Sequence, residues 1–525
     1  MKKLLAMLLC ICLLPGLGAM AQEAETVIVF SDETITVNGE AITQDNSAPV
    51  YLALETETHK DVPAELTGLA NRVVTIADAG SYRFSGTASD VQIAVRAGED
   101  DRVRVVLDGV NLTCRTASVF QGYTAYDPRT PGEYGLTIEL ADGSQNVLNG
   151  SHTAKNHDDD IKHDGAVDSL ISLGFEGGGS LTVNADNEGI EVKYGHMTIN
   201  GGAFRIEAGD DPLNVSEDGI GTLTVNDGYL YSTVRPAKGG EGDGIDSNGY
   251  IVFNGGTVIN LAHPDSQDSG IDSDMGSSIN GGVIVGAGNM YDPIETTSKQ
   301  NFMMLEFTEE TDDLVVVTDV TGKPVFAYDF PYSYNYIAFS TPELTEGVYH
   351  VYLGGEIVGE QTDGLYTSIE SYTPGRRMVH GGGTAQPQRG GFDPGAMQGQ
   401  APEMPQGMQP PGGMPDIAAY MEAMNRIDLN EILKDADLNA LLEGKDLNQL
   451  LTGFGIQDLL TEEQIAEYFG DVDPGMLNMF SFGGRGGFGG GGMGGPRMLE
   501  SSADIATYDF ILTAETNGFT NITAE

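Results

Sequence analysis

Between positions 180 and 290, short apolar stretches alternate with polar positions at a period of two: Leu181-Thr182-Val183, Met197-Thr198-Ile199, Leu223-Thr224-Val225 and Ile251-Val252-Phe253. Such runs read as strands that bury one face. Each is bounded by Asn, Asp or Gly, residues that tolerate the backbone of tight corners. The corners themselves repeat. Asn200-Gly201-Gly202, Asn226-Asp227-Gly228, Asn254-Gly255-Gly256 and Asn280-Gly281-Gly282 follow one another at spacings of 26, 28 and 26 residues. A second phrase keeps step with them: Glu188-Gly189-Ile190-Glu191, Asp211-Pro212-Leu213-Asn214, Asp243-Gly244-Ile245-Asp246 and Ser269-Gly270-Ile271-Asp272, with Asp159-Asp160-Ile161-Lys162 as an earlier member. Periods of roughly 20 to 50 residues mark stacked repeats. Several short strands per repeat, joined by tight corners, predict the coils of a parallel β-helix, each turning its Ile, Leu and Val inward against the coils above and below.

The same alternation runs upstream through Arg72–Ile76, Val91–Val95, Val103–Leu107 and Leu136–Leu140, so the helix is expected over 73–300, with 22–72 capping its open end. Beyond Tyr291 the repeat stops. Leu314–Val317, Val325–Tyr328 and Val348–Tyr352 predict a separate antiparallel β-domain over 301–375. The Gly-, Pro-, Met- and Gln-rich stretch 376–415 reads as a disordered linker. Then Asp428-Leu429-Asn430, Asp437-Leu438-Asn439 and Asp446-Leu447-Asn448 recur at nine residues, each Asp placed to cap a short amphipathic helix, which predicts a small helical insertion over 416–482. A Gly-rich linker (483–502) and one last strand of the β-domain (503–525, near Tyr508–Thr513) complete the chain. The fold class expected is all-β, a parallel β-helix with a C-terminal β-sheet domain that carries a helical insertion between flexible linkers.

Composition changes this picture in two ways. Lys2 and Lys3, the apolar run Leu4–Leu14 and the small-residue site Ala19-Met20-Ala21 read as a signal peptide over 1–21, so a secreted or cell-surface protein is expected. The run is too short to span a bilayer, and no later apolar stretch reaches the ~18 residues a membrane helix requires. Cys10 and Cys12 lie inside it, leaving Cys114 without an intramolecular partner, so burial or metal has to hold an exported fold together. Second, 26 Lys and Arg against 78 Asp and Glu give a net charge of −52. Such a surface repels nucleic acid and acidic lipid, and it either serves solubility or gathers cations.

Carboxylate placement favours cations. Aligning the phrases puts Asp159, Glu188, Asp211 and Asp243 in one column, and Lys162, Glu191, Asn214, Asp246 and Asp272 in another. Stacked coils lie ~4.8 Å apart. Two like charges at that distance repel by about 1 kcal/mol in water and ~3.5 kcal/mol at an effective dielectric near 20. A calcium ion relieves this, because oxygens ~2.4 Å to either side of it are about one coil spacing apart. The metal ligands expected are Asp159, Asp160, Glu188, Glu191, Asp211, Asp243, Asp246, Asp272 and Asp274; the alternative is a solvated acidic corner in which Asp serves the turn. Zinc at His152, His157 and His163 is the weaker alternative, since carboxylates outnumber imidazoles there. For catalysis the candidate bases are Lys162 and Lys193, against the plainer reading of lysines neutralising their acidic neighbours.

The stretch from Val73 to Met290, above all Val105-Val106-Leu107-Asp108-Gly109-Val110-Asn111-Leu112, Asn187–Glu191 and Asp243–Ser247, resembles the secreted bacterial carbohydrate-binding β-helix family whose architecture is similar to that of family-nine pectate lyases. The resemblance implies a right-handed helix, calcium between coils, and binding of plant-cell-wall or acidic polysaccharide without turnover. Asp211-Pro212-Leu213-Asn214 and Ser269 depart from the acidic-Gly-Ile-acidic form, which puts calcium at those two rungs in question. The alternatives are a lyase cleaving uronic-acid polysaccharide by β-elimination and a structural adhesion or spacer protein. With no Trp in the chain, sugar stacking would fall to Tyr or Phe, which the sequence does not rank.

Overall fold

The structure, a computed structural model, describes residues 25–57, 62–153, 161–295, 298–380, 510–512 and 518–524. The leader read at 1–21, the helical insertion at 416–482, the Gly-rich linker at 483–502, and Asp159 and Asp160 lie outside the described residues.

Among the described residues the regular elements are β-strands, with one short 3-10 turn at Ala64–Leu66. They form a 25-stranded mixed sheet and an eight-stranded sheet. Three parallel ladders run through them. In the large sheet, Val103–Thr113 pairs with Leu136–Leu140, then Leu173–Gly177, His196–Ile199, Thr222–Val225, Tyr250–Phe253 and Gly276–Ile279. A second ladder of the same sheet runs through Gln145–Gly150, Ser180–Ala185, Ala203–Ala208, Tyr229–Val234, Thr257–Leu261 and Val283–Gly288. The eight-stranded sheet stacks Ala70–Ile76, Val91–Arg96, Phe120–Thr124, Gly165–Ser169, Glu188–Val192, Leu213–Val215 and Asp246–Ser247 in parallel.

Side chains in register make the core. Ile138, Phe175, Ile199, Val225, Phe253 and Ile279 face one another along the first ladder; Val74, Ile93, Phe120, Val167, Ile190 and Leu213 do so along the third. All are buried. Cys114 is buried with them, and burial pushes its thiol up to about 12, so it packs as a small apolar residue.

The Asn-Gly-Gly phrase has a stacking cause. Asn226 Nδ2 donates to Asn200 Oδ1 at 2.7 Å, Asn254 to Asn226 at 2.8 Å and Asn280 to Asn254 at 2.9 Å, a ladder of amides along one corner. The glycine that follows each turn has a positive φ, +82° at Gly256, and a Cβ there would stand 2.8 Å from the Gly228 carbonyl oxygen. Glycine is required at that position by both backbone and space.

At the N-terminal end, Thr26–Phe30 lies parallel on Gly80–Ser89 with Phe30 edge-on to Phe84, while Val50–Thr56 pairs antiparallel with Ala70–Ile76. Both sheets thus receive a covering strand. At the other end, the antiparallel strands Phe302–Thr311, Val315–Asp319, Pro324–Tyr328, Tyr334–Ser340, Gly347–Thr362 and Leu365–His380 surround a second apolar cluster around Phe326, Tyr328, Tyr334 and Phe339. The sequence reads this region as a separate sheet. In the structure Tyr334–Ser340 pairs directly with Val283–Gly288, so the backbone hydrogen bonding is continuous with the large sheet. Residues 376–380, read as linker, continue the strand ending at His380, where Arg377 pairs with Tyr352. Near the C-terminus Phe510–Leu512 pairs with Gly347–Tyr349, and a further strand, Gly518–Ala524, lies beside Phe302–Thr311 and Leu365–His380.

Candidate metal centre

Alternation along the eight-stranded sheet decides where the acids go. Val167, Ile190 and Leu213 point into the core, so their neighbours Asp168, Glu191 and Asn214 stand on the other face, with Asp246 next in the column. The expected column Glu191, Asn214, Asp246 is therefore present. Its earlier member is not Lys162. Asp168 pairs with Glu191, and Gly165 pairs with Glu188. Ala166 and Val167 are both buried, whereas Ile161 beside Lys162 is only half-buried, so the later phrase supplies the apolar residue that fixes register.

Two groups of carboxylates converge. Asp164, Glu188 and Glu191 form one; Asp243, Asp246 and Asp272 form the other; in each, one oxygen per residue lies within 4.8 Å of the others. Asp211 and Asp274 stay outside both groups. Asp211 Oδ1 accepts from the Asp243 backbone N–H at 2.7 Å and Asp243 Oδ1 accepts from that of Ser269 at 2.6 Å, so each carboxylate ties its turn to the backbone of the next repeat. Asp274 sits beside Asp292 and Asp218, and burial and these neighbours raise its pKa.

The first group carries its own cations. Lys193 Nζ lies 2.5 Å from Glu191 Oε1 and 3.2 Å from Asp164 Oδ2, and Lys162 Nζ lies 2.5 Å from Asp164 Oδ1. Burial disfavours the charged form of Lys193, but Glu191, Asp168 and Asp164 outweigh it and raise its pKa. The same balance raises Lys162. Both amines are thus held protonated, the form of a counter-ion rather than of a proton acceptor. Glu191 is still pushed up to about 7 by burial and by Asp168. Glu188 Oε2 is buried and has no hydrogen-bond partner among the described residues.

Among the described residues no Lys, Arg or His forms an ion pair with the second group. Burial raises Asp243, and the charges acting on it most strongly are Asp272, Asp211 and Asp246. Asp246 is pushed up to about 7 by burial and Asp274, and Asp272 up to about 9 by burial and by a hydrogen bond shared with Asp292. Burial and mutual repulsion thus favour the protonated form of these acids. Hard oxygen donors spaced about twice a calcium–oxygen distance of ~2.4 Å suit calcium. Zinc would want imidazole or thiolate, and none stands in either group.

The ligands expected from the sequence leave out three acids that the fold brings close: Asp164, Asp168 and Asp292. Asp168 accepts from or donates to His163 Nδ1 at 2.5 Å, both only 1% exposed, with Tyr123 edge-on to the imidazole. Asp292 joins Asp272 from the turn after the last repeat. The Asp168 signal was readable: Ala166-Val167-Asp168 has the small-apolar-acidic form of Gly189-Ile190-Glu191. Asp292 lies outside any repeated phrase.

Residues 70–303 match the family model described as carbohydrate-binding domain-containing protein. Both carboxylate groups and Asp292 fall inside that match. A carbohydrate-binding domain-containing protein of Acetivibrio thermocellus is 34% identical over 143 residues, which span 27% of this chain and 46% of the relative; less than half of that relative's length is thus covered. Among solved structures, that of the polysaccharide lyase-like protein from C. thermocellum, a gadolinium derivative, aligns over 50% of this chain and 94% of its own, at 24% identity and a TM-score of 0.33.

Proposed function

We propose that residues 73–300 wind as a right-handed parallel β-helix that binds polysaccharide outside the cell and is stabilised there by calcium. The coincidence of the carbohydrate-binding match at 70–303 with the convergent carboxylate groups carries the reading. Three parallel ladders, each joined to the next coil at intervals such as the 28 residues from Thr222 to Tyr250, are what a coil with three faces requires. The hand follows from the general preference of parallel crossovers. Asp243, Asp246 and Asp272 would hold the ion, which supplies charge neutralisation between coils. Lys193 does that work in the first group. Export agrees with the leader read at 1–21 and with an acidic surface that extracellular calcium can titrate. The chelated protein is expected to melt at a markedly lower temperature than the protein in millimolar calcium, with magnesium restoring less. Affinity electrophoresis through gels cast with polygalacturonate or with neutral plant glucans, in calcium, tests the binding. Mobility unchanged by every polysaccharide overturns the reading.

A further inference from the structure

Nine large apolar side chains are notably exposed among the described residues, and four of them share one corner: Tyr194 (42%), Ile220 (57%), Tyr250 (42%) and Met275 (47%). Each lies where a strand of the eight-stranded sheet, or the segment following it, hands over to the large sheet, one in each of four successive repeats. The register His196, Thr222, Tyr250, Gly276 aligns these corners, and backbone bonds from Tyr250 N to Gly221 O (2.7 Å) and from Met275 N to Gly249 O (3.0 Å) stitch them together. Tyr194 and Ile220 stand two residues before His196 and Thr222, Met275 one before Gly276, and Tyr250 at the paired position itself, so the patch is staggered across four successive repeats, each ~4.8 Å from the next, a step comparable to the length of one sugar ring.

We infer that this corner is the polysaccharide-binding surface and that it takes an uncharged pyranose chain lying along the stack, its ring faces on Tyr194 and Tyr250; the inference rests on the carbohydrate-binding reading above. Tyrosine offers a flat apolar body with a polar tip, which suits a sugar face rimmed by hydroxyls. The surroundings set the charge class. Asn248 Nδ2 donates to Asp218 Oδ1 at 2.8 Å, Asp274 follows in the next repeat, Arg129 is engaged by Glu217 at 3.0 Å, and Lys193, beside Tyr194, is engaged by Glu191 and Asp164. These carboxylates accept hydrogen bonds from sugar hydroxyls and repel a uronate. A second copy of this chain is disfavoured as the occupant by charge, since two molecules at −52 repel each other.

The test is affinity electrophoresis with hydroxyethylcellulose in calcium, on the full chain, comparing wild type with Tyr194→Ala/Tyr250→Ala and with Asp246→Asn/Asp272→Asn. Expected is retardation of the wild type that weakens by about tenfold in the tyrosine variant, with its calcium-dependent melting unchanged. Cello-oligosaccharides should gain affinity up to about four sugars, one per repeat of the stripe. Retardation by hydroxyethylcellulose that survives the tyrosine substitutions overturns the inference. Retardation by polygalacturonate alone overturns it too, while leaving polysaccharide binding intact. No retardation by any polysaccharide removes both.

Discussion

Asp246 and Asp272 show how a residue's neighbours decide its chemistry. Each stands one step from a core residue, and burial among like charges raises their pKa to about 7 and about 9. A carboxyl whose folded pKa is raised contributes stability below its unfolded value, near 4, and that stability is lost as pH rises through the folded value. In chelator the melting temperature should therefore fall between pH 5 and 9. In calcium the fall should be absent, because the ion binds the ionised form; Asp246→Asn/Asp272→Asn should flatten both curves. Equal pH profiles with and without calcium would return these acids to plain turn residues. At the amide corner the argument is steric. Gly256→Ala meets both a left-handed backbone and the Gly228 carbonyl, and should cost on the order of 1–3 kcal/mol, read from the urea midpoint. Asn254→Ala, losing exposed amide bonds, should cost about 1 kcal/mol.

Strands fix register through what they bury. Phe253, paired between Val225 and Ile279, is fully buried in the core, so Phe253→Ala should cost ~3–5 kcal/mol by cavity formation, measured by denaturant unfolding. The first carboxylate rung illustrates the same rule. Asp159-Asp160-Ile161-Lys162 has the spelling of a rung, but Ala166 and Val167 supply the two buried residues, and Asp168 therefore takes the position opposite Glu191. Lys193 directly follows the strand Glu188–Val192, two residues after Glu191, and its amine lies against that carboxylate. Lys193→Met would leave Glu191 without its counter-ion, while Asp164 keeps Lys162, a loss of about 3–5 kcal/mol. Calcium should restore more stability to that variant than to the wild type, which calorimetry with and without the ion would reveal.

For the whole molecule, the deletion suggested by the glycine- and proline-rich flanks needs a later start than 376. Arg376, Arg377 and Met378 pair with Leu353, Tyr352 and Val351, so removing 376–496 should lower the thermal transition by several degrees, whereas removal beginning at Gly381 should leave it nearly unchanged. The repeats, the inward-facing columns and the pairing of Glu191, Asn214 and Asp246 were legible in the sequence, because a strand's period of two and the recurring Asn-Gly corner are local properties that stacking merely copies. The sequence by itself determined an all-β chain with acids set at regular intervals. Tertiary structure decided which acids face one another, that Lys193 pairs within the first group, that Asp292 joins Asp272, and that Tyr194, Ile220, Tyr250 and Met275 lie at one corner. The physical reason is distance: repulsion, ion pairing and ring stacking act over a few ångströms between residues 20 to 30 positions apart, and only packing sets those separations.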